Sequence, residues 1–371
     1  MLTILIFLLL LSVLVLVHEL GHFIAAKKLG VVAEEFGLGL PPKVRKLFTW
    51  QGTEFTLNWL PLGGFVKMKG EDRETENRKQ KTENNERNDG NFYSQKPWKR
   101  AIILVAGVFM NLVLGVGAFT TVYTVLGIPE ERDVVVIDGV APGSPAEKAQ
   151  LEAGDVVLEL QVDRLSGYQV TRVKEFVDFI NEHRGQEAIL IIKRGNENKE
   201  ISITPRIESE TPAGEGALGV AISNIQFIHY PWWQMPFKAS VTGFKEALGW
   251  GLNIVEGLGK MVSDLIIHGK VPNDVAGPVG IARITGEVAK RGWIPLFQLA
   301  GILSINLAVV NILPIPALDG GRLLFLGIEK LRGKPMDPRK ERIAHLSGYI
   351  LLITLLVLIT LRDIFSISSG E

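Results

Sequence analysis

The sequence predicts a polytopic α-helical membrane protein of about four transmembrane helices, with a membrane-associated β-loop and an inserted extracytoplasmic α+β domain. Three observations predict this class. Apolar runs recur at Leu2–Val17, Ala101–Leu126, about Pro295–Leu313 and Leu346–Leu361, on the scale needed to cross a ~30 Å hydrocarbon core at about 1.5 Å per residue. Hydrophobic residues make up 47 % of the 371 residues, high for a soluble protein. Between the second and third runs the pattern changes to short strand-like stretches around a single helix, as in a compact soluble domain.

The first run extends to about Ala26, and Lys27 and Lys28 follow at once. It has no basic n-region before it and no small-x-small cleavage site after it, so it reads as a retained span rather than a signal peptide. Near its end stands His18-Glu19-Leu20-Gly21-His22. On a helix, His18 and His22 lie one turn apart and point to the same side, as two nitrogen ligands of one Zn²⁺ must. Glu19, beside the first ligand, is placed to take a proton from a water on the metal. The bland alternative, a polar patch ending a membrane helix, leaves two His and one Glu in a costly place without a purpose. The chain has no cysteine, so disulfides and thiolate metal sites are excluded and a zinc site must use His and carboxylate. Its 40 basic and 40 acidic residues balance, which points to no nucleic-acid partner.

The loop up to Arg100 carries Lys43, Arg45, Lys46, Lys67, Lys69 and many further cations. The positive-inside rule makes this loop cytoplasmic, the N-terminus external and the metal motif closer to the cytoplasmic side. Within it, Thr53–Met68 alternates and contains Leu62-Gly63-Gly64, which reads as a β-hairpin or paired strands. Phe55, Leu57, Trp59, Leu60, Phe65 and Val66 leave two readings: a small soluble sheet, or a β-loop dipping into the bilayer beside the metal. Glu71–Asp89 has no apolar residue and reads as a disordered linker.

The second span, Ala101 to about Leu126, follows the Trp98-Lys99-Arg100 anchor. Gly107, Gly115 and Gly117 allow close helix approach, and Asn111 needs a partner, either a neighbouring helix or substrate. Strand-like runs at Val134–Ile137, Val156–Leu160, Ala188–Lys193 and Lys199–Ile203 surround a helix at Val173–His183. With Ser144-Pro145-Ala146 and Leu151-Glu152-Ala153-Gly154-Asp155-Val156-Val157, this stretch resembles a PDZ domain, a module that binds extended peptides by strand addition. Phe237–Ile267 is apolar but places Glu256, Lys260 and Asp264 on one helical face. It reads as an amphipathic interfacial helix, with a tilted span as the alternative.

The third span passes Asn306 and Asn311 and is broken by Pro314 and Pro316, with Asp319-Gly320-Gly321-Arg322 following. Freed backbone groups at membrane depth are tolerated where protein or a wet cavity covers them, and an acidic residue there is a functional candidate. Asp319 is the candidate third zinc ligand; the alternatives are capping of the next helix or pairing with Arg322. A basic loop (Arg332, Lys334, Arg339, Lys340, Arg342) then precedes the fourth span. The resulting layout is 1–126 N-terminal membrane part, 127–207 PDZ-like domain, 208–294 amphipathic segment and 295–371 C-terminal membrane part.

The whole pattern resembles the bacterial site-2 proteases, zinc intramembrane metalloproteases of the regulator of sigma-E type with a single PDZ domain. The resemblance rests on the His18–His22 motif, on Gly277-Pro278-Val279-Gly280-Ile281-Ala282, and on Asn311-Ile312-Leu313-Pro314-Ile315-Pro316-Ala317-Leu318-Asp319-Gly320-Gly321. Phe36-Gly37-Leu38-Gly39-Leu40-Pro41 and the β-loop are similar as well. The resemblance implies His18, His22 and Asp319 as zinc ligands, Glu19 as catalytic base, and Asn311 with the β-loop residues Gly63, Gly64 and Phe65 as substrate contacts. It also implies regulated intramembrane proteolysis, in a bacterial plasma membrane, of a single-span protein such as an anti-sigma factor already cut outside. The short Leu126–Arg132 connection favours the PDZ-like domain as a filter against untrimmed substrates. Two other classes compete: a catalytically silent PDZ-bearing scaffold, which has no need of Glu19, and a metal transporter, which would want more than one polar cluster in four spans.

Overall fold

The computed structural model describes residues 2–71, 90–162, 166–268 and 276–369. The chain forms two compact units, Met1–Val125 with Pro236–Glu371, and Leu126–Met235. The expected linker from residue 72 to 89 lies outside the described residues. Glu71, placed in that linker by the sequence, instead has defined partners, the backbone N–H of Met68 and the guanidinium of Arg322.

In the first unit, α1 (Leu2–Leu29) is one unbroken helix. Gly30 follows it at φ 84°, the left-handed position that ends helices and favours glycine. Then come β1 (Ala33–Trp50) and β2 (Thr53–Met68), joined by the turn Gln51-Gly52. The sequence put a hairpin inside Thr53–Met68; the actual hairpin is larger, and Thr53–Met68 supplies only one arm. Pro41, Pro42 and the cations after them hide the other arm from a hydrophobic-periodicity reading. The sheet folds over itself, so residues 35–38 pair with both 54–57 and 64–67, while 43–50 pair with 53–58. Residues 64–68 thus form one margin, and Gly63 and Gly64 bring it hard against α1. A Cβ on Gly63 would lie 2.9 Å from Val15 Cγ1, and one on Gly64 2.7 Å from Leu16 Cδ2. Phe23, Ala26, Phe36, Val66, Ile103 and Leu104 form the shared core beneath.

Helix α2 (Pro97–Leu126) runs antiparallel to α1, since Gly21 meets Ala106 and, further along, His18 meets Asn111. In the second unit, β3 (Ile128–Val140), α3 (Pro145–Lys148), β4 (Val156–Val162), β5 (Ser166–Gln169), α4 (Val173–Glu182), β6 (Ala188–Arg194), β7 (Glu197–Ile203) and β8 (Val220–Ile228) build a six-stranded sheet. Its order is β7-β6-β4-β3-β8, with β5 paired to β4. Inward residues Val135, Ile137, Leu160, Leu190 and Ile192 pack on Phe176 and Ile180 of α4. The four expected strands and the helix are present. The unit nevertheless runs to Met235 instead of ending at 207, because β8 pairs along β3 from Ile128 to Val140. Such long-range pairing has no local sequence signal.

The first unit resumes with α5 (Met235–His268), α6 (Pro278–Lys290), α7 (Trp293–Ile312), α8 (Asp319–Arg332) and α9 (Pro338–Ser369). Among the described residues four helices are long and apolar enough to cross a membrane by length and composition: α1, α2, α7 and Pro338–Phe365 of α9. Arg339, Lys340 and Arg342, expected in a loop, stand in the first turns of α9, which Pro338 opens as its preorganised φ favours. Asp363 near the other end of α9 accepts the N–H groups of Gly277 (3.3 Å) and Gly280 (2.8 Å) at the start of α6.

Candidate metal centre

Helix α1 delivers His18 and His22 to one face, as their four-residue spacing requires. The third group comes from 300 residues away through a break in the helical run. α7 ends at Ile312, Leu313 turns extended, and Pro314 and Pro316 prevent the helix from continuing. The loop is held in part by protein: the Ala317 N–H donates to His345 Nδ1 at 2.9 Å, and Gly348 of α9 lies against the Pro316 carbonyl. Asp319 opens α8, but its carboxylate turns to the histidines. Arg322, its other conceivable partner, pairs with Glu71.

Asp319 Oδ2 lies 3.0 Å from His18 Nε2 and 3.2 Å from His22 Nε2, and the two Nε2 atoms are 3.1 Å apart. A tetrahedral zinc with ligands at about 2.0–2.1 Å has ligand–ligand edges of roughly 3.3 Å, so this triangle is nearly the face of such a site. Two imidazole nitrogens and one carboxylate oxygen are also the donor set of an open, catalytic zinc. His18 and His22 are buried and the Asp319 side chain is 17 % exposed. The floor of the site is Gly107 of α2: a Cβ there would collide with His22 Nε2 and come within 2.8 Å of His18 Cε1. The three residues therefore fit a zinc ion.

Each ring has a partner on its far nitrogen. His22 Nδ1 lies 2.8 Å from the Ile103 carbonyl, and His18 Nδ1 lies 3.3 Å from the Asn111 side-chain amide. Glu19 accepts the Val66 N–H at 3.1 Å, so the carboxylate sits between the axis of α1 and the sheet margin. Asn311, at the end of α7, brings Nδ2 to 3.4 Å from His18 Nε2.

The sequence-nominated residues thus fall into two groups. His18, Glu19, His22, Asn311 and Asp319 converge on one place. Gly63 and Gly64 are buried where β2 meets Val15 and Leu16, one turn before His18, and the Phe65 ring covers Gly37. Sequence reasoning left Gly107 as a packing glycine and missed the Ile103 carbonyl and the Val66 N–H. Four-residue spacing from Ile103 through Gly107 to Asn111, matched to the four-residue spacing of the histidines, was the available signal.

Comparison with known proteins finds relatives along nearly the whole chain. The model of peptidase family M50 matches residues 6–355. Zinc metalloprotease RasP of Geobacillus kaustophilus is 31 % identical over 96 % of this chain and 96 % of that protein. RasP of Oceanobacillus iheyensis is 30 % identical over 98 % and 99 %, and RasP of Bacillus licheniformis 31 % identical over 98 % and 98 %. Among solved structures, the PDZ domain of an SdrC-like protein from Listeria monocytogenes aligns at 24 % identity, covering 24 % of this chain and 87 % of that domain, with a TM-score of 0.20.

Proposed function

The chain belongs to peptidase family M50, the site-2 proteases, and is a zinc metalloprotease of the membrane; from this premise we propose that it cuts single-span proteins inside their membrane segments, with His18, His22 and Asp319 holding the zinc and Glu19 as catalytic base. The observation that carries the proposal is the convergence of His18, Glu19 and His22, on a helix apolar enough to span, with Asp319, at the start of α8 just after another such helix, beside the sheet margin of residues 64–68. Zinc bound there supplies Lewis acidity, lowering the pKa of a bound water to roughly 7 and polarising a peptide carbonyl.

The chain's own residues do the rest. A peptide bond within a helix is shielded by its i→i−4 hydrogen bonds, so the substrate must be unwound before attack. Residues 63–66 run along the sheet margin past Glu19, where an unwound strand is able to add by main-chain hydrogen bonds. Gly63 and Gly64 serve this by letting the margin approach α1; Phe65 and the Asn311 amide supply side-chain contacts to the freed backbone. Glu19 gives up the Val66 N–H, takes the proton of the attacking water on its carboxylate, and passes it to the nitrogen of the leaving amine.

The positive-inside charge pattern supports a site toward the cytoplasmic side of a bacterial plasma membrane, with the Leu126–Met235 unit outside it. The substrate class is then a single-span protein already trimmed outside, as an anti-sigma factor would be, and the outer PDZ-like unit filters out untrimmed forms. The test uses purified enzyme and a single-span substrate in lipid vesicles, with chelator, with zinc restored, and with the cut mapped by mass spectrometry. A zinc-dependent cut between residues of the span is expected. A cut confined to the flanking loops would overturn the proposal.

A further inference from the structure

The face of α2 behind the metal triad repeats the spacing of the histidines in front of it. Ile103, Gly107 and Asn111 follow one another at four-residue intervals, as do His18 and His22, and the helices run antiparallel. Ile103 offers its carbonyl to His22, Gly107 leaves room for both rings, and Asn111 faces His18.

The His22 contact defines what the His18 contact must be. A carbonyl only accepts, so the 2.8 Å bond to Ile103 puts the proton of neutral His22 on Nδ1 and leaves the Nε2 lone pair facing Asp319 and His18. For His18 to present Nε2 likewise, its Nδ1 must also carry the proton and donate it. Asn111 is the group in place to accept. It is 0 % exposed, and its amide lies 3.3 Å from His18 Nδ1. The amide nitrogen faces the ring, while Asn111 Oδ1 is buried without a hydrogen-bond partner among the described residues. Amide oxygen and nitrogen are assigned by their hydrogen-bond network. Turning the amide breaks no other bond of Oδ1 and gives His18 the acceptor it needs.

We propose that Asn111 is a positioning residue of the metal centre: its side-chain oxygen accepts the His18 Nδ1–H and holds the ring with Nε2 toward the metal, as the Ile103 carbonyl does for His22. This rests on the zinc-ligand reading above. It also distinguishes two tasks of one residue. The Asn111 backbone carbonyl accepts the Ser304 hydroxyl of α7 at 2.7 Å, an interhelix bond that does not involve the side chain.

The test measures zinc affinity by chelator competition on the full chain in detergent, and the visible spectrum of the cobalt-substituted protein. The variants are Asn111→Leu, of similar size but without an acceptor, Asn111→Asp, which accepts but cannot donate, and Ser304→Ala. Asn111→Leu is expected to weaken zinc binding about 10- to 100-fold, the usual effect of losing an outer hydrogen-bond partner, and to alter the cobalt bands. Asn111→Asp is expected to retain wild-type affinity and spectrum, and Ser304→Ala to leave both unchanged. Wild-type affinity in Asn111→Leu, or a loss in Asn111→Asp, overturns the proposal, and the second result decides it even if the leucine variant does not accumulate. An equal loss in Ser304→Ala would assign the effect to helix packing and overturn it too. Failure of the wild-type chain to bind zinc would instead overturn the ligand assignment itself.

Discussion

The backbone N–H of Val66 donates to the carboxylate of Glu19 across 3.1 Å, tying the margin of the β-sheet to the metal-motif helix. The bond joins the surface proposed to hold an unwound substrate and the group proposed to move the proton. It also gives β2 a reason to lie flat on α1, where Gly63 and Gly64 leave no room for side chains.

The ligand assignment has a direct consequence. Replacing His18, His22 or Asp319 by Ala removes one donor of three, so each variant should bind zinc more than about 100-fold more weakly, beyond the 10- to 100-fold typical of outer-partner changes. Metal analysis of membrane-extracted protein measures this. Full zinc occupancy in Asp319→Ala would remove Asp319 from the set.

Gly107 makes a sharper demand on sequence. Any side chain there meets His22 Nε2 and the His18 ring. Gly107→Ala should displace the donors enough to cost about 10²-fold in turnover, the scale set by ~1 Å misplacements, and lower zinc affinity in parallel. Gly117, with open space around the same hypothetical Cβ, is the control: Gly117→Ala should leave both unchanged.

Much of this site was legible in the chain. The His-Glu-x-x-His spacing sets His18, Glu19 and His22, the proposed ligands and base, on one helix, and two prolines ahead of Asp319 mark a broken helical run. The partners of those residues were not legible. Which side of α2 faces α1 depends on helix rotation, so Asn111 could be read equally as an interhelix or a substrate contact. β1 was concealed by Pro41, Pro42 and the cations that follow, and β8 joins the sheet through contacts with residues some 90 positions away. Arg339, Lys340 and Arg342 read as loop because their charge outweighs the helix-opening position of Pro338 in a sequence reading.

The Leu126–Met235 unit carries its own pH dependence. Asp155 is 1 % exposed; burial opposes its charge, yet Arg194, through two 2.7 Å contacts, and the Glu152 N–H hold its pKa below the ordinary 3.8. A carboxyl depressed in the folded state stabilises above its unfolded pKa, and that contribution is lost as pH falls through the lower, folded value. Hydrogen exchange of β4 and β6 amides, corrected for intrinsic rates, should therefore show local opening only below about pH 4. Asp155→Asn should open this region at neutral pH by about 1–3 kcal/mol, the penalty for leaving a polar network part-satisfied, and flatten the acid response. Unchanged protection in that variant would show that the Arg194 clamp is not a stabilising contact.

The filter role proposed for the Leu126–Met235 unit is testable with boundaries taken from the fold. Because β8 completes the sheet, a clean excision removes residues 127–234 rather than 127–207. The excised enzyme should cut a substrate that retains its external domain, which the intact enzyme spares, and should cut the trimmed form as before. Slower cutting of the trimmed form alone would identify recruitment in place of filtering.

The central claim is that Glu19 moves the proton at a zinc held by other residues. Its most direct test is the cleavage rate of a reconstituted single-span substrate by Glu19→Gln, with zinc content measured on the same sample. The account expects wild-type zinc content and a rate lower by about 10²- to 10⁴-fold, the range for losing a general base. Turnover near the wild-type rate at full zinc content would contradict it.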